Sequence, residues 1–166
     1  KEFKKLEKND LQVKMVKKKY HLTERFILYL GRLEPRKNLD ILIHAFHQLV
    51  MTHSLSAISL VIAGEGRERK RLRKLTRNLK IEDKVKILGY LPEEDKVPLY
   101  NLAKVFVYPS FYEGYGYPVV EALACGTPVI TTHTSSLIEI EDRKIIFINP
   151  YDLNDLSSIL KELITK

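Results

Sequence analysis

ISLVIAGEGRERKRLRKLTRNLKIEDKVKILG, residues 58–89, holds a complete structural unit in one stretch. ISLVIAG (58–64) is a short apolar run stopped by glycine, and VKILG (85–89) is a second one. Between them Leu72, Leu75 and Leu79 recur at helical spacing inside the basic segment 67–80. An apolar stripe on a charged background is the pattern of an amphipathic helix. A strand, a helix and a strand in this order describe two parallel strands joined by a crossover. Strands that are apolar at nearly every position are buried on both faces.

The same unit repeats in both directions. Upstream, residues 11–20 read as a helix and FILYLG (26–31) as a strand. NLDILIHAFHQLVMTH (38–53) then places Leu39, Leu42, Ile43, Phe46, Leu49 and Val50 on one helical face, with Asn38 expected as its N-cap. Downstream, a helix starts near Pro92 with Glu93, Glu94 and Asp95 in its first turn, where acids complement the helix dipole. KVFVYPS (104–110), PVITT (128–132) and KIIFI (144–148) are strands, PVVEALAC (118–125) is a helix, and 135–140 is a short helical turn. DLNDLSSILKELIT (152–165) closes the chain as an amphipathic helix. The pattern predicts a doubly wound α/β domain, a parallel sheet of about six strands flanked by helices. It is expected to be one domain, with a basic lead-in helix over 1–25, a core over 26–150 and a C-terminal helix over 151–166.

Composition narrows the function classes. Hydrophobic residues are 45% and charged residues 30%, the balance of an ordinary globular domain. No apolar run approaches the roughly 18 residues that span a bilayer. KEFKKLEKNDLQVKMVKKKY, which opens the chain, is neither a signal peptide nor a membrane helix, and without an initiator Met it is expected to begin inside a longer chain. A single cysteine, Cys125, forms no intrachain disulfide or cysteine cluster and reads as a small buried hydrophobe, so a reducing, cytoplasmic setting is expected. The formal charge of +7 is concentrated in Lys1, Lys4, Lys5, Lys8, Lys14, Lys17, Lys18 and Lys19 and in segment 67–80. The second cluster reads first as the solvated face of its helix, with peripheral contact to an anionic membrane as the alternative and nucleic acid disfavoured. His21, His44, His47, His53 and His133 form no metal-ligand pattern, His44 and His47 reading as a helix-surface pair. No G-x-G-x-x-G follows the first strand, which argues against a dinucleotide oxidoreductase.

In a doubly wound sheet, ligands bind beyond the carboxyl ends of the strands, so chemistry is sought in those loops. After the first strand, Arg32 and Lys37 offer two cations suited to a polyanion such as a diphosphate, with Arg36 between them able to substitute for either. Taken alone they read equally well as loop surface charge. The loop at 109–118 carries Gly114 and Gly116 around Tyr115, then a helix opened by Pro118. Glycines ahead of a helix let backbone N–H groups approach an anion. Glu113 and Glu121 flank this stretch, and a carboxylate accepts hydrogen bonds from a sugar or ribose diol. Helical geometry over their eight-residue interval would separate them by about 12 Å. Glycosidase carboxyl pairs sit roughly 5–9.5 Å apart, so a hydrolase pair is disfavoured.

The pieces FILYLGRLEPRKNLDILIHAF, LVIAGEGRERKRL, VKILGYLPEEDKVPLY and, above all, VFVYPSFYEGYGYPVVEALACGTPVITT resemble the C-terminal domain of the retaining family 4 glycosyltransferases. These enzymes have the GT-B architecture of two Rossmann-like domains. The resemblance runs from about Phe26 to Pro150 and implies a nucleotide-sugar donor such as a UDP-, GDP- or ADP-sugar, with no cofactor and no metal. It implies that Arg32 and Lys37 bind the donor diphosphate and that Glu113 contacts the transferred sugar, these three being the catalytic candidates. Gly31, Gly114, Tyr115, Gly116 and Tyr117 would line the donor, with the amides of Tyr117 and Val119 facing phosphate. Glu121 would hold the ribose hydroxyls, and Gly89, Tyr90 and Leu91 would seat the base. Tyr115 and Tyr117 stand where the family commonly has Phe and Leu, which leaves the donor sugar open. The segment IEDRKIIFINP lacks the glycine often found before the last strand. The acceptor is expected on an N-terminal domain not contained in these residues, and the chain is expected to transfer nothing alone.

Overall fold

The apolar runs form six strands: β1 (Arg25–Leu30), β2 (Ile58–Ala63), β3 (Val85–Gly89), β4 (Val105–Tyr108), β5 (Val129–Thr132) and β6 (Ile145–Ile148). The helices are α1 (Leu11–Lys19), α2 (Leu39–His53), α3 (Arg69–Asn78), α4 (Glu93–Leu102), α5 (Tyr117–Ala124) and α6 (Leu153–Thr165). Among the described residues there are also two 3₁₀ turns, Pro35–Lys37 and Ser135–Glu139. This computed structural model describes residues 2–7, 10–53, 57–140 and 142–165, and the side chains of all of these except His53 and Ser135. Lys1 and Lys8 of the N-terminal basic cluster lie outside the described residues.

All strand pairs are parallel, in the order β3-β2-β1-β4-β5-β6. β1 is paired with β2 along its whole length and with β4 at Ile27–Val105 and Leu28–Phe106. β2, β4 and β5 are buried at every position, whereas the edge strands β3 and β6 are only partly covered. Burial on both faces is what nearly all-apolar strands require, and it confirms the doubly wound reading. On the helical layers, α2 packs with α6 and α3, while α4 packs with α1 and α5. Leu72 of α3 is buried and Leu75 and Leu79 pack beside it, while Lys70, Arg71, Arg73, Lys74 and Arg77 are exposed. The basic helix is therefore amphipathic as expected. Among the described residues, no helix is long and apolar enough to cross a membrane.

Two local expectations need correction. Asn38 does not cap α2: its backbone is left-handed (φ 53, ψ 41) and its side-chain amide donates to the Pro150 carbonyl at 2.8 Å. It ends the preceding 3₁₀ turn, which a left-handed residue commonly does, and it ties the loop after β1 to the loop before α6. Asp95 does more than complement a dipole. It is 6% exposed and accepts from Lys19 Nζ at 2.6 Å and Tyr20 Oη at 2.5 Å, fastening α1 onto α4.

Strand order reverses between β1 and β4, since the chain builds outward to β3 and then returns past β1. Loops leaving the carboxyl ends of these two neighbours diverge and open a crevice. Arg32, Lys37, Glu113, Gly114, Tyr115 and Gly116 fall on those two loops, Gly89, Tyr90 and Leu91 lie at the end of β3, and Tyr117, Val119 and Glu121 lie in α5.

Candidate functional site

The loops after β1 and β4 are joined by a backbone bond, the Phe111 amide donating to the Arg36 carbonyl at 2.9 Å. Their side chains then form one continuous polar chain. Arg32 Nε lies 2.8 Å from Glu34 Oε1, and Arg36 Nε donates to Glu34 Oε2 at 3.0 Å. Arg36 Nη1 reaches Glu113 Oε2 at 3.3 Å and donates to the Tyr112 carbonyl at 3.1 Å. Lys37 Nζ donates to Glu113 Oε1 at 2.5 Å and to Tyr108 Oη at 2.6 Å. Lys37 and Glu113 are only 3% and 6% exposed, so their charges interact with little solvent screening. Burial lowers the pKa of Lys37, and the hydrogen bond and charge of Glu113 oppose that drop. Burial, and then the Glu113 charge, push the Tyr108 phenol far up, which keeps it a neutral hydrogen-bonding group.

The family resemblance implies separate ligand contacts for Lys37 and Glu113. The structure instead makes them partners, 76 residues apart in the chain. Arg36, read as a substitute, is the second cation on Glu113. Arg32 points outward and remains the most exposed cation of the set, 77% exposed in its side chain.

A cleft of about 580 Å³ opens beside this chain, beyond the carboxyl ends of β1, β2 and β3. It gathers Gly31, Arg32, Tyr90 and Leu91 as expected, together with Glu65, Gly66, Glu93 and Lys96. Glu93 is legible in the sequence only as a helix-start charge and Lys96 carries no signal of its own; both face the cleft because α4 begins at its rim. Gly89 does not line the cleft, but its carbonyl accepts from the amide of Gly64, which does, at 2.7 Å. Gly64 itself could be no other residue, since a Cβ there would collide with the Gly31 carbonyl oxygen. Arg32 and Gly66 also line a second cleft of about 590 Å³ with Glu34, Pro35, Arg36 and Arg67.

α5 begins where the other half of the expected site lies. Gly116 caps it in the left-handed region (φ 82), where a Cβ would meet Leu137 Cδ2 at 2.5 Å. Gly114 faces open space. One expectation fails here: the Val119 amide does not face outward but donates to the Gly116 carbonyl at 2.9 Å, and Val119 is fully buried. Tyr117 occupies the first helical position, whose amide has no acceptor within the helix, and Pro118 carries no N–H. The rings of Tyr115 and Tyr117 lie 4.6 Å apart and are largely exposed.

Glu121, one turn further on, is half-buried, and its Oε2 accepts from Tyr100 Oη at 2.8 Å. Burial raises its pKa, while the Tyr100 hydrogen bond and the Lys96 charge pull it down. Glu121 does not line the 580 Å³ cleft, yet it is electrostatically coupled to Lys96 and Glu93, which do. The two glutamates thus have different surroundings, one between cations and one against a phenol. Cys125 is buried, its thiol pushed up to about 11 by desolvation, in keeping with a structural role. Among the described residues, no three His, Cys, Asp or Glu gather closely enough to hold a metal ion.

Comparison with known proteins gives this geometry a family. The chain matches the glycosyl transferases group 1 over residues 12–166. O-antigen chain mannosyltransferase B of Escherichia coli is 38% identical over 151 residues, 89% of this chain and 39% of that protein. Sucrose-phosphate synthase of Thermosynechococcus elongatus superposes with a TM-score of 0.82 at 27% identity, covering 99% of this chain and 41% of that one. TarM of S. aureus, in a complex containing UDP, superposes with a TM-score of 0.77 at 25% identity, covering 86% and 29%. The chain spans about two fifths of the length of the mannosyltransferase it matches. With the family match covering nearly all of its residues and the fold shared with such enzymes, this chain belongs to the glycosyl transferases group 1.

Proposed function

We propose that this chain is the donor-binding half of a retaining, metal-independent glycosyltransferase, whose acceptor is held by an N-terminal domain of a longer protein. The observation that carries the reading is the polar chain Arg32–Glu34–Arg36–Glu113–Lys37 spanning the crevice between the loops after β1 and β4. The UDP in the S. aureus TarM complex supports a nucleoside diphosphate in the adjacent cleft. The name of the E. coli relative makes a mannosyl group the first sugar to test.

In this reading the base occupies the cleft rimmed by Tyr90, Leu91, Glu93 and Lys96, and the ribose lies at its edge, on the side where Lys96 and Glu93 act on Glu121. Glu121 accepts from the ribose hydroxyls, and the diphosphate extends toward Arg32, Lys37 and the start of α5. When the sugar–phosphate bond breaks, its electron pair stays on the departing diphosphate. Arg32, Arg36, Lys37 and the Tyr117 amide stabilise that charge as it grows, which lowers the barrier because the interaction is strongest in the transition state. Glu113, fixed by Lys37 and Arg36, presents its carboxylate to the sugar. Gly31, Gly89, Gly114, Tyr115, Gly116 and Tyr117 border the same path.

Calorimetry of the chain against UDP, GDP, ADP and their sugar conjugates tests the site, with Glu121→Ala and Lys37→Ala as controls. Binding of one nucleotide, weakened by both substitutions, is expected; unaltered affinity in both variants overturns the assignment. The same chain is expected to transfer no sugar alone, and measurable transfer sinks that part. With the full-length enzyme, activity is expected to survive EDTA and the product to keep the donor's anomeric configuration by NMR. The exposed cations of α3 support a cytoplasmic enzyme resting on an anionic membrane. Cosedimentation with phosphatidylglycerol vesicles, lost in Arg73→Glu/Arg77→Glu, is the expected result; no cosedimentation removes the membrane from the proposal.

A further inference from the structure

Tyr100 has no solvent exposure, yet it carries a hydroxyl into the core. A buried phenol needs a partner, and the one it has is Glu121, at 2.8 Å. The ring is held edge-on by Phe106 at 5.3 Å and by Phe3 at 6.1 Å. Its carbonyl accepts from the buried Thr127 hydroxyl at 2.8 Å. Asn101, the next residue, donates to the Lys4 carbonyl at 3.0 Å and accepts from the Leu6 amide at 2.7 Å. The segment 3–6 therefore pins the end of α4 from outside, and the aromatic core pins it from inside. Tyr100 is among the most firmly placed side chains of the molecule, and it spends its only donor on a half-buried carboxylate.

From this geometry we infer that Tyr100 is a positioning residue that presets Glu121 to grip the two hydroxyls of a ribose. The inference rests on the reading of Glu121 as the ribose contact. A glutamate on a helix has three rotatable side-chain bonds, and freezing them at the moment of binding costs affinity. A bond from Tyr100 to Oε2 freezes them in advance. Because the phenol only donates here, it also favours the ionised carboxylate, whose remaining lone pairs accept from both hydroxyls. Tyr100 touches no substrate in this scheme and acts entirely through Glu121.

A preset diol clamp leaves a signature that general stabilisation does not: selectivity for ribose over a sugar without hydroxyls. Affinities of UDP, GDP and ADP and of their 2′,3′-dideoxy counterparts are measured by calorimetry on the chain, on Tyr100→Phe and on Glu121→Gln. The Phe ring keeps the contacts with Phe3 and Phe106, and the thermal transition of each variant verifies its fold. The expected result for Tyr100→Phe is a loss of about tenfold in ribonucleotide affinity, with dideoxynucleotide affinity changed less than about twofold. Its acid limb of ribonucleotide binding is also expected to move to higher pH, because the bond that holds down the Glu121 pKa is gone. Equal weakening of both nucleotide classes, or no weakening, overturns the role of Tyr100 while leaving Glu121 as the ribose contact if Glu121→Gln abolishes selectivity. Wild-type selectivity persisting in Glu121→Gln, or no selectivity or no binding in the parent chain, overturns the Glu121 reading and this inference with it.

Discussion

Lys37 and Glu113 illustrate how a site can be both built and strained by one contact. Two opposite charges at 2.5 Å and nearly without solvent attract strongly, but each has lost its hydration. Removing Glu113 leaves Lys37 buried beside the neutral Tyr108 phenol, and removing Lys37 leaves the buried Glu113 to Arg36 at 3.3 Å. Lys37→Met or Glu113→Gln is expected to destabilise the chain by about 3–5 kcal/mol in urea denaturation. The double variant should cost less than the sum of the two, and strict additivity in that cycle would count against a functional pair. Glu121 presents the opposite trade. Burial lifts its pKa above the ordinary 4.5, so the folded chain binds a proton between 4.5 and that raised value which the unfolded chain has released. Its favourable contribution is complete below pH 4.5 and lost as pH rises through the folded value, leaving an ionised carboxylate in a desolvated place at neutral pH. Glu121→Gln should therefore melt at the same or a higher temperature than the parent at pH 7 while binding nucleotide more weakly, the pattern of a residue kept for function. A lower melting temperature at pH 7 that persists at pH 4 would show that Glu121 serves the fold instead. Neither environment was legible from residue type. Sequence spacing marks Lys37, Glu113 and Glu121 as candidates, but the partners Tyr108 on β4, Arg36 in the 3₁₀ turn after β1 and Tyr100 on α4 come from separate elements that only tertiary packing brings together.

At the scale of elements, strands and helices were legible because each apolar run is long enough to bury and each helix carries one apolar face. β1, β2, β4 and β5 are found where unbroken apolar runs placed them, and the edge strands β3 and β6 differ only in being less covered. What escaped the sequence were the turns between them. Asn38 looked like a cap because it precedes a helix, yet the 3₁₀ turn at Pro35–Lys37 forces it into the left-handed region and turns its side chain to Pro150. That same turn swings Lys37 inward toward Glu113. On the α5 side, the two glycines looked alike in sequence and differ in the fold. Gly116 has a left-handed backbone and abuts Leu137, whereas Gly114 has neither constraint. Gly116→Ala is expected to destabilise by about 1–3 kcal/mol through backbone strain and the Leu137 contact, and to weaken nucleotide binding as the start of α5 shifts. Gly114→Ala should leave the thermal transition within about 0.5 kcal/mol of the parent, as an exposed change does. Equal melting temperatures for the two variants would refute the distinction between them.

For the whole molecule, the decisive feature is an aromatic seam through the centre of the sheet and its α4 face. Tyr29 and Tyr108 stack at 5.7 Å, Tyr108 and Phe106 at 5.7 Å, and Phe106 meets Tyr100 edge-on at 5.3 Å. Tyr108 within the seam touches Lys37, the partner of Glu113, and the Tyr100 end touches Glu121. The two glutamates are thus mounted on a single packed core, so a core variant that loosens the seam should disturb both ends of the donor site together. The seam also sets the alkaline limit of the fold. Desolvation raises the phenols of Tyr29, Tyr100 and Tyr108 above the ordinary 10.0, so the folded chain keeps three protons that the unfolded chain releases. Their contribution is fully present below pH 10 and is lost as pH climbs toward the folded values. Lys37, shifted downward, acts in the opposite sense: between its folded value and 10.5 the unfolded chain holds the extra proton, and stability rises with pH. Above 10.5 that opposing gain is complete, while the loss from three phenols continues. The urea midpoint should therefore fall steeply above about pH 10.5, with tyrosinate absorbance appearing in the same transition as loss of helical circular dichroism. Tyr100→Phe should lessen the fall by removing one of the three groups. Buried tyrosines that ionise before unfolding, seen as absorbance rising ahead of the dichroism change, would show that the seam is open to water.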